Sequence, residues 1–227
     1  MSLATWWRGD TLPQLSPLPD FSVSATNDPA ILRQITHLSE AEIKRRLEAG
    51  HQPYLGLMQG KPAAYGWMAT RCADIGELGL VFCLPPSQRY LWDFATLPKW
   101  RGRGIYPRLL QTILTQATSQ ASYFWIIHAP ENGPSAAGIR KAGFAPVGQI
   151  SLGQNGQVAL AGTGEAKRVQ AAATLFDVPL AETPLSPCWH CGGAAYPARP
   201  NTAGCTCHTS AWIPLTLGTT HCLCASA

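Results

Sequence analysis

Leu97-Pro98-Lys99-Trp100-Arg101-Gly102-Arg103-Gly104-Ile105-Tyr106 lies between a stretch that reads as a strand, 89–97, and one that reads as an amphipathic helix. Gly102 and Gly104 let backbone amides approach a ligand closely. The helix that follows presents orphan N–H donors and about half a positive charge at its start. Lys99, Arg101, Arg103 and Arg108 add charge with no nearby acid. Together these make an anion cradle that a diphosphate would fit. Taken alone, the two glycines would also suit an ordinary strand-to-helix turn.

Downstream of the cradle, Ile105, Leu109, Leu110, Ile113, Leu114, Ala117 and Ala121 fall at helical spacing and form an apolar stripe. A short buried strand is predicted at 123–127, a helix at 135–141 ending at Gly143, and a hairpin near 147–160. Upstream, Ser39 is placed to cap a helix, with Glu42 to return the capping-box bond and Leu38 to staple against Ile43. Strands at 52–59 and 63–70 are joined by Gly60-Lys61-Pro62, and two more are predicted at 77–84 and 89–97. This order predicts an α/β (α+β) domain whose sheet is mixed and mostly antiparallel.

Composition limits what such a domain can do. Only 13% of the 227 residues are charged, 46% are hydrophobic, and the formal net charge is +4. So small an excess argues against nucleic-acid binding and against a polybasic membrane anchor, so an anion site must be local. The longest uncharged run before the tail, 109–130, is too rich in Gln, Thr and Ser for a spanning helix. No secretory signal is visible around Trp6, Trp7 and Arg8, which makes the cytoplasm the expected compartment.

Further residues join the cradle in a wider pattern. Pro98, Trp100, Arg101, Gly102, Gly104, Ile105, Asn132, Ser135, Gly143 and Phe144 stand where the GNAT acyltransferase superfamily has its signature positions, and 52–148 resembles that family. The resemblance implies a splayed sheet that admits the pantetheine of acetyl-CoA between the strands ending near Leu97 and Ile127. It implies cofactor contacts from Thr96, Leu97, Arg101, Gly102, Arg103, Gly104, Ile105, Tyr106, Asn132 and Ser135. It also implies transfer of an acetyl group to an amine by direct attack on the thioester. The alternative is a GNAT-like module that binds acyl-CoA without turnover. Two positions depart from the pattern: Tyr106 replaces a small residue, and Ile139 stands where many members carry the Tyr that protonates the departing thiolate.

An amine of pKa near 10 needs a base at neutral pH. Asp93, alternating with Leu91, Ala95 and Leu97 on a strand expected to be buried on both faces, is the first candidate, with a proton affinity raised by burial. His128 and then Glu131 follow it, while Tyr106 and Tyr123 are the substitutes for the missing acid. Acceptor, acyl chain length and oligomeric state are not written in these residues.

Cysteine usage divides the chain: Cys72 and Cys83 stand alone, whereas Cys188, Cys191, Cys205, Cys207, Cys222 and Cys224 crowd into 188–227. The expected division is a catalytic domain at 1–165, a linker at 166–187 and a small irregular Cys/His-rich appendage at 188–227. Cys188-x2-Cys191 followed by Cys205-x2-His208 suits one tetrahedral structural zinc, with Cys207 as the reserve ligand. Protein purified without a metal-affinity tag should therefore carry one zinc per chain by elemental analysis. A value well below one would leave these cysteines unliganded.

Overall fold

The computed structural model describes residues 1–153 and 156–185. Strands β1 (Ser2–Trp7) and β2 (Phe21–Ala25) precede helices α1 (Pro29–Thr36) and α2 (Glu40–Glu48). The hairpin β3 (His51–Met58) and β4 (Lys61–Ala69) follows, then a small hairpin, β5 (Cys72–Ile75) and β6 (Leu80–Cys83). Next come β7 (Gln88–Thr96), α3 (Ile105–Ala117), β8 (Tyr123–His128) and α4 (Gly133–Lys141). The described chain closes with β9 (Ala145–Leu152), β10 (Val158–Gly162), α5 (Ala166–Phe176) and β11 (Leu180–Ala181).

Nine strands form one sheet in the order β11-β10-β9-β1-β8-β7-β4-β3-β2. It is antiparallel except for β7 against β8 and β10 against β11, as the mixed, mostly antiparallel expectation requires. The N-terminal strand β1 is among the strands, with β2, β5 and β11, that sequence reading did not supply. It enters mid-sheet, antiparallel to both β8 and β9, which brings Leu3 opposite Ile127 and Gly148. Apolar side chains bury on three sites around this sheet. Leu109, Leu110, Ile113 and Ile139 bring α3 and α4 onto one cluster, Ala172 and Phe176 bring α5 onto a second, and Leu32 and Ile43 bring α1 and α2 onto a third.

Local chemistry explains the helix starts. Asp28 accepts from the amides of Ala30 and Ile31 ahead of Pro29, and Ser39 accepts from the amide of Glu42. The return bond of a capping box is replaced, because the Glu42 carboxylate binds Arg45 and Arg46 at 2.7–2.8 Å. Those guanidiniums, Arg45 first, hold its pKa down at about 2 against the opposing effect of burial.

Three expectations change. The strand predicted at 77–84 is a turn over Gly76–Leu78 followed by β6, because the segment folds back on Cys72–Ile75 instead of joining the main sheet. Cys72 and Cys83, which stand apart in sequence, face each other across that hairpin and form a disulfide. Disulfides persist in oxidising compartments, so this pair and the expected cytoplasmic residence make opposite demands. Finally, 166–187 begins as α5, not as a linker. Arg168 grips Asp10 through two bonds of 2.7 and 2.8 Å, and Val169, Ala172 and Phe176 are buried in the core. Among the described residues no helix is long and apolar enough to cross a membrane.

The disulfide closes a loop with a sequence separation of 11. By loop-closure entropy its loss should cost about 2–3 kcal/mol. Urea unfolding with and without a thiol reductant should show that difference, and a Cys72→Ser/Cys83→Ser variant should be indifferent to reductant.

Candidate functional site

β7 and β8 run side by side in register only from Gln88↔Tyr123 to Leu91↔Ile126. Beyond Leu91 they part, although β7 stays paired with β4 on its other edge as far as Ala64↔Thr96. The register with β4 shifts between Tyr65 and Trp67, so Asp93 and Phe94 together oppose Gly66. This is a β-bulge, and Asp93 takes the positive φ of 50° that such an insertion demands. A bulge bends and twists its strand, which turns the end of β7 away from β8. Backbone groups on that edge of β7 are thereby left without a sheet partner, a setting in which an extended amide-bearing ligand can take the place of a strand.

The parted strands lead to the glycine loop. Gly102 and Gly104 have φ of 77° and 70°, and Gly104 is the N-cap of α3 with no side chain to satisfy the helix's first amides. Those amides are the anion donors expected from the sequence, with two qualifications: Pro107 has none, and the Arg101 amide is spent on the carbonyl of Pro98. Among the cations, Lys99 and Arg103 each lie 5.0 Å from the centre of the Trp100 ring, and Arg101 donates to the Thr96 carbonyl at 3.1 Å. Arg108 curls back onto the Gly104 carbonyl at 2.7 Å and also holds the carbonyl of Ser16. A cavity of about 540 Å³ opens beside Gly104, bounded by Pro13–Ser16 on one wall and by Arg108, Arg140 and Lys141 on the other.

On the α4 side, Asn132 is a helix cap, its side chain accepting the Ser135 amide at 3.0 Å. The Ser135 hydroxyl sits 3.5 Å from the phenol of Tyr106. Thr96 ends β7 and Leu97, Ile105 and Tyr106 pack together at the junction of β7 and α3. Burial pushes the Tyr106 phenol up to about 12 against the opposing Ser135 contact. Ile139 is only 3% exposed and belongs to the core cluster beneath α3 and α4.

Asp93 is not the enclosed carboxylate that alternation along the strand implied. The bulge turns it toward α2, where Arg46 donates to it at 2.5 Å, and its side chain is 31% exposed. Arg46, itself 9% exposed, also binds Glu42 and stacks over Trp92 and Trp67 with its guanidinium 4.3 and 5.1 Å from the ring centres. This clamp is missing from the sequence reading, because nothing local couples a helix arginine to a bulge 47 positions away. His128 ends β8 just past the parting. Its Nδ1 lies 2.8 Å from the Ala129 carbonyl, which can only accept, so Nδ1 carries a proton. Tyr123 is set aside by position: it starts β8 at the end away from the parting and packs edge-on against Trp7.

The zinc ligands expected at Cys188, Cys191, Cys205 and His208 lie outside the described residues. Among the described residues no group of three or more His, Cys, Asp or Glu is arranged to hold a metal ion.

The sequence profile of the acetyltransferase (GNAT) family matches residues 24–144, more than half of the chain. No curated protein sequence matches it. Among solved structures, a GCN5-related N-acetyltransferase from Kribbella flavida is 16% identical over 64% of this chain and 53% of its own, with a TM-score of 0.43. A GNAT-family acetyltransferase from Novosphingobium aromaticivorans is 15% identical over 63% of this chain and 58% of its own, with a TM-score of 0.44. One from Elizabethkingia anophelis, with acetyl-CoA bound, is 13% identical over 60% of this chain and 83% of its own, at a TM-score of 0.45. The chain thus spans little more than half the length of the first two. On the family match, the chain belongs to the GNAT acetyltransferase family.

A side chain at Gly104 would stand over the α3 amides, and its Cβ would meet Arg108 Nη1 at 2.5 Å. Gly104→Val should therefore weaken coenzyme A binding at least 100-fold by calorimetry while circular dichroism stays native. Unchanged affinity in a folded variant would remove the phosphate role from this loop.

Proposed function

We propose that the chain is an acyl-CoA-dependent N-acetyltransferase that moves the acetyl group of acetyl-CoA to an amine by direct attack on the thioester. The observation that carries this reading is the parting of β7 from β8 beyond Leu91↔Ile126, which leads onto the bare N-terminus of α3. A pantetheine arm laid along the freed edge of β7 would find amide partners, and the diphosphate would rest on amides from Gly102 to Tyr106. Holding thioester and amine together then supplies most of the rate.

His128 is assigned the base. It ends β8 at the parted edge, and with Nδ1 bonded to the Ala129 carbonyl, Nε2 is the nitrogen that would take a proton from an incoming ammonium or from a bridging water. Asp93, clamped by Arg46, is assigned a positioning part: it fixes the bulge that keeps the strands apart. Thiolate departure is assisted by the positive end of α3. A structural zinc on Cys188, Cys191, Cys205 and His208 remains part of the proposal and takes no step in the transfer.

Thiol release from acetyl-CoA over a panel of small and peptidyl amines tests the reading. His128→Ala should keep coenzyme A affinity and lower turnover about 100-fold or more. Full turnover in that variant, with Asp93→Asn inactive, would move the base to Asp93. Coenzyme A binding with no release for any amine would make the chain an acyl-CoA binder instead.

A further inference from the structure

Tyr106 stands where the family pattern has a small residue, and its side chain goes across the cleft. From the first turn of α3 the ring lies against α4 at Gly138, where an added Cβ would come within 2.3 Å of Cδ1 and 2.9 Å of Cε1. Its other side meets Phe94, on the parted segment of β7, with ring centres 5.7 Å apart. Its hydroxyl reaches Ser135 Oγ, at the start of α4, at 3.5 Å. One ring thus touches the parted strand, the phosphate-loop helix and the helix that carries Asn132 and Ser135.

We infer that Tyr106 is a gate: seated on Gly138 it closes the passage between β7 and α4, and acyl-CoA binds the conformer in which the ring has left that seat. The inference rests on the acetyl-CoA reading above, because the route it bars is the one proposed for pantetheine. The contacts leave no room for a chain beside the seated ring, since it is in van der Waals range of walls on both sides. The seat is fastened by packing and not by a strong hydrogen bond. A hydroxyl pair at 3.5 Å is at the outer limit of a hydrogen bond, and the remainder is ring packing. Gly138 completes the device, because any side chain there would refuse the ring.

A binding site available only in a minor conformer has its apparent affinity reduced by the fraction competent. Removing the ring should restore that factor. Coenzyme A titrated calorimetrically into the full-length protein should bind about tenfold more tightly to Tyr106→Ala than to wild type. Gly138→Ala, which evicts the ring without deleting it, should tighten binding in the same direction. In stopped flow the wild-type observed rate should level off at high coenzyme A as ring exit becomes limiting, whereas that of Tyr106→Ala should rise linearly. Equal or weaker binding by a folded Tyr106→Ala, with wild type binding coenzyme A, would overturn the gate and leave the acetyl-CoA reading intact. No binding by wild type or by either variant would overturn both.

Discussion

Adjacent parallel strands do not separate freely, because each abandoned backbone group must find water, a side chain or a ligand. The parting of β7 and β8 is therefore the constraint around which the rest is arranged. It begins where the bulge places Asp93 and Phe94 opposite Gly66. Phe94 can sit there only because Gly66 is bare: a Cβ at Gly66 would lie 2.0 Å from its ring. Asp93 accepts a left-handed backbone, which an aspartate tolerates better than most residues. Arg46 then ties the bulge to α2, stacked on two tryptophans, so the twist is held from outside the sheet.

Everything on the far side follows from keeping that opening while burying the remaining sheet. The core clusters under α1 and α2, under α3 and α4, and under α5 bury the sheet around the parted strands, and Phe94, Leu97 and Tyr106 pack against the second of them. β1 contributes by pairing with both β8 and β9, so β8 keeps one fully bonded edge as its other edge loses β7. The segment after β1 then crosses toward the sheet's opposite edge. On its way it is fastened to α3 by Gln111, which donates to the Pro13 carbonyl at 2.8 Å, and by Arg108 at Ser16. That crossing forms one wall of the cavity beside the phosphate loop.

The parts of this fold legible in the sequence are those set by short-range rules. The β3–β4 hairpin, the stripe of α3, the Gly-rich loop and the Ser39 cap each rest on short-range signals and are present, although the hairpin turns at 59–60, one to two residues before Gly60-Lys61-Pro62 placed it. What escaped is non-local. β1 carries an apolar run but finds its partners more than a hundred positions away. The Cys72–Cys83 bond depends on a fold-back within 77–84 that the apolar run there disguises as one strand. α5 is anchored by Asp10, at the other end of the chain. For the candidate site, the loop could be read because glycine spacing encodes it. The surroundings of Asp93 could not, because a bulge moves a side chain to the other face without altering the alternation that predicts it.

The two departures from the family pattern bear on each other. Ile139 is part of the packed core under α3 and α4, so that position supplies no proton to a leaving thiolate. The neighbouring phenol of Tyr106 is a tempting replacement, but its desolvated hydroxyl is raised to about 12. Donation from such a group to a thiolate of parent pKa about 8.5 runs uphill. The thiol is the stronger acid of the two. A tyrosine that cannot usefully give up its proton, yet fills the space between β7 and α4, acts through its bulk. On the proposed reading, departure of the thiolate would then rest on the field of α3.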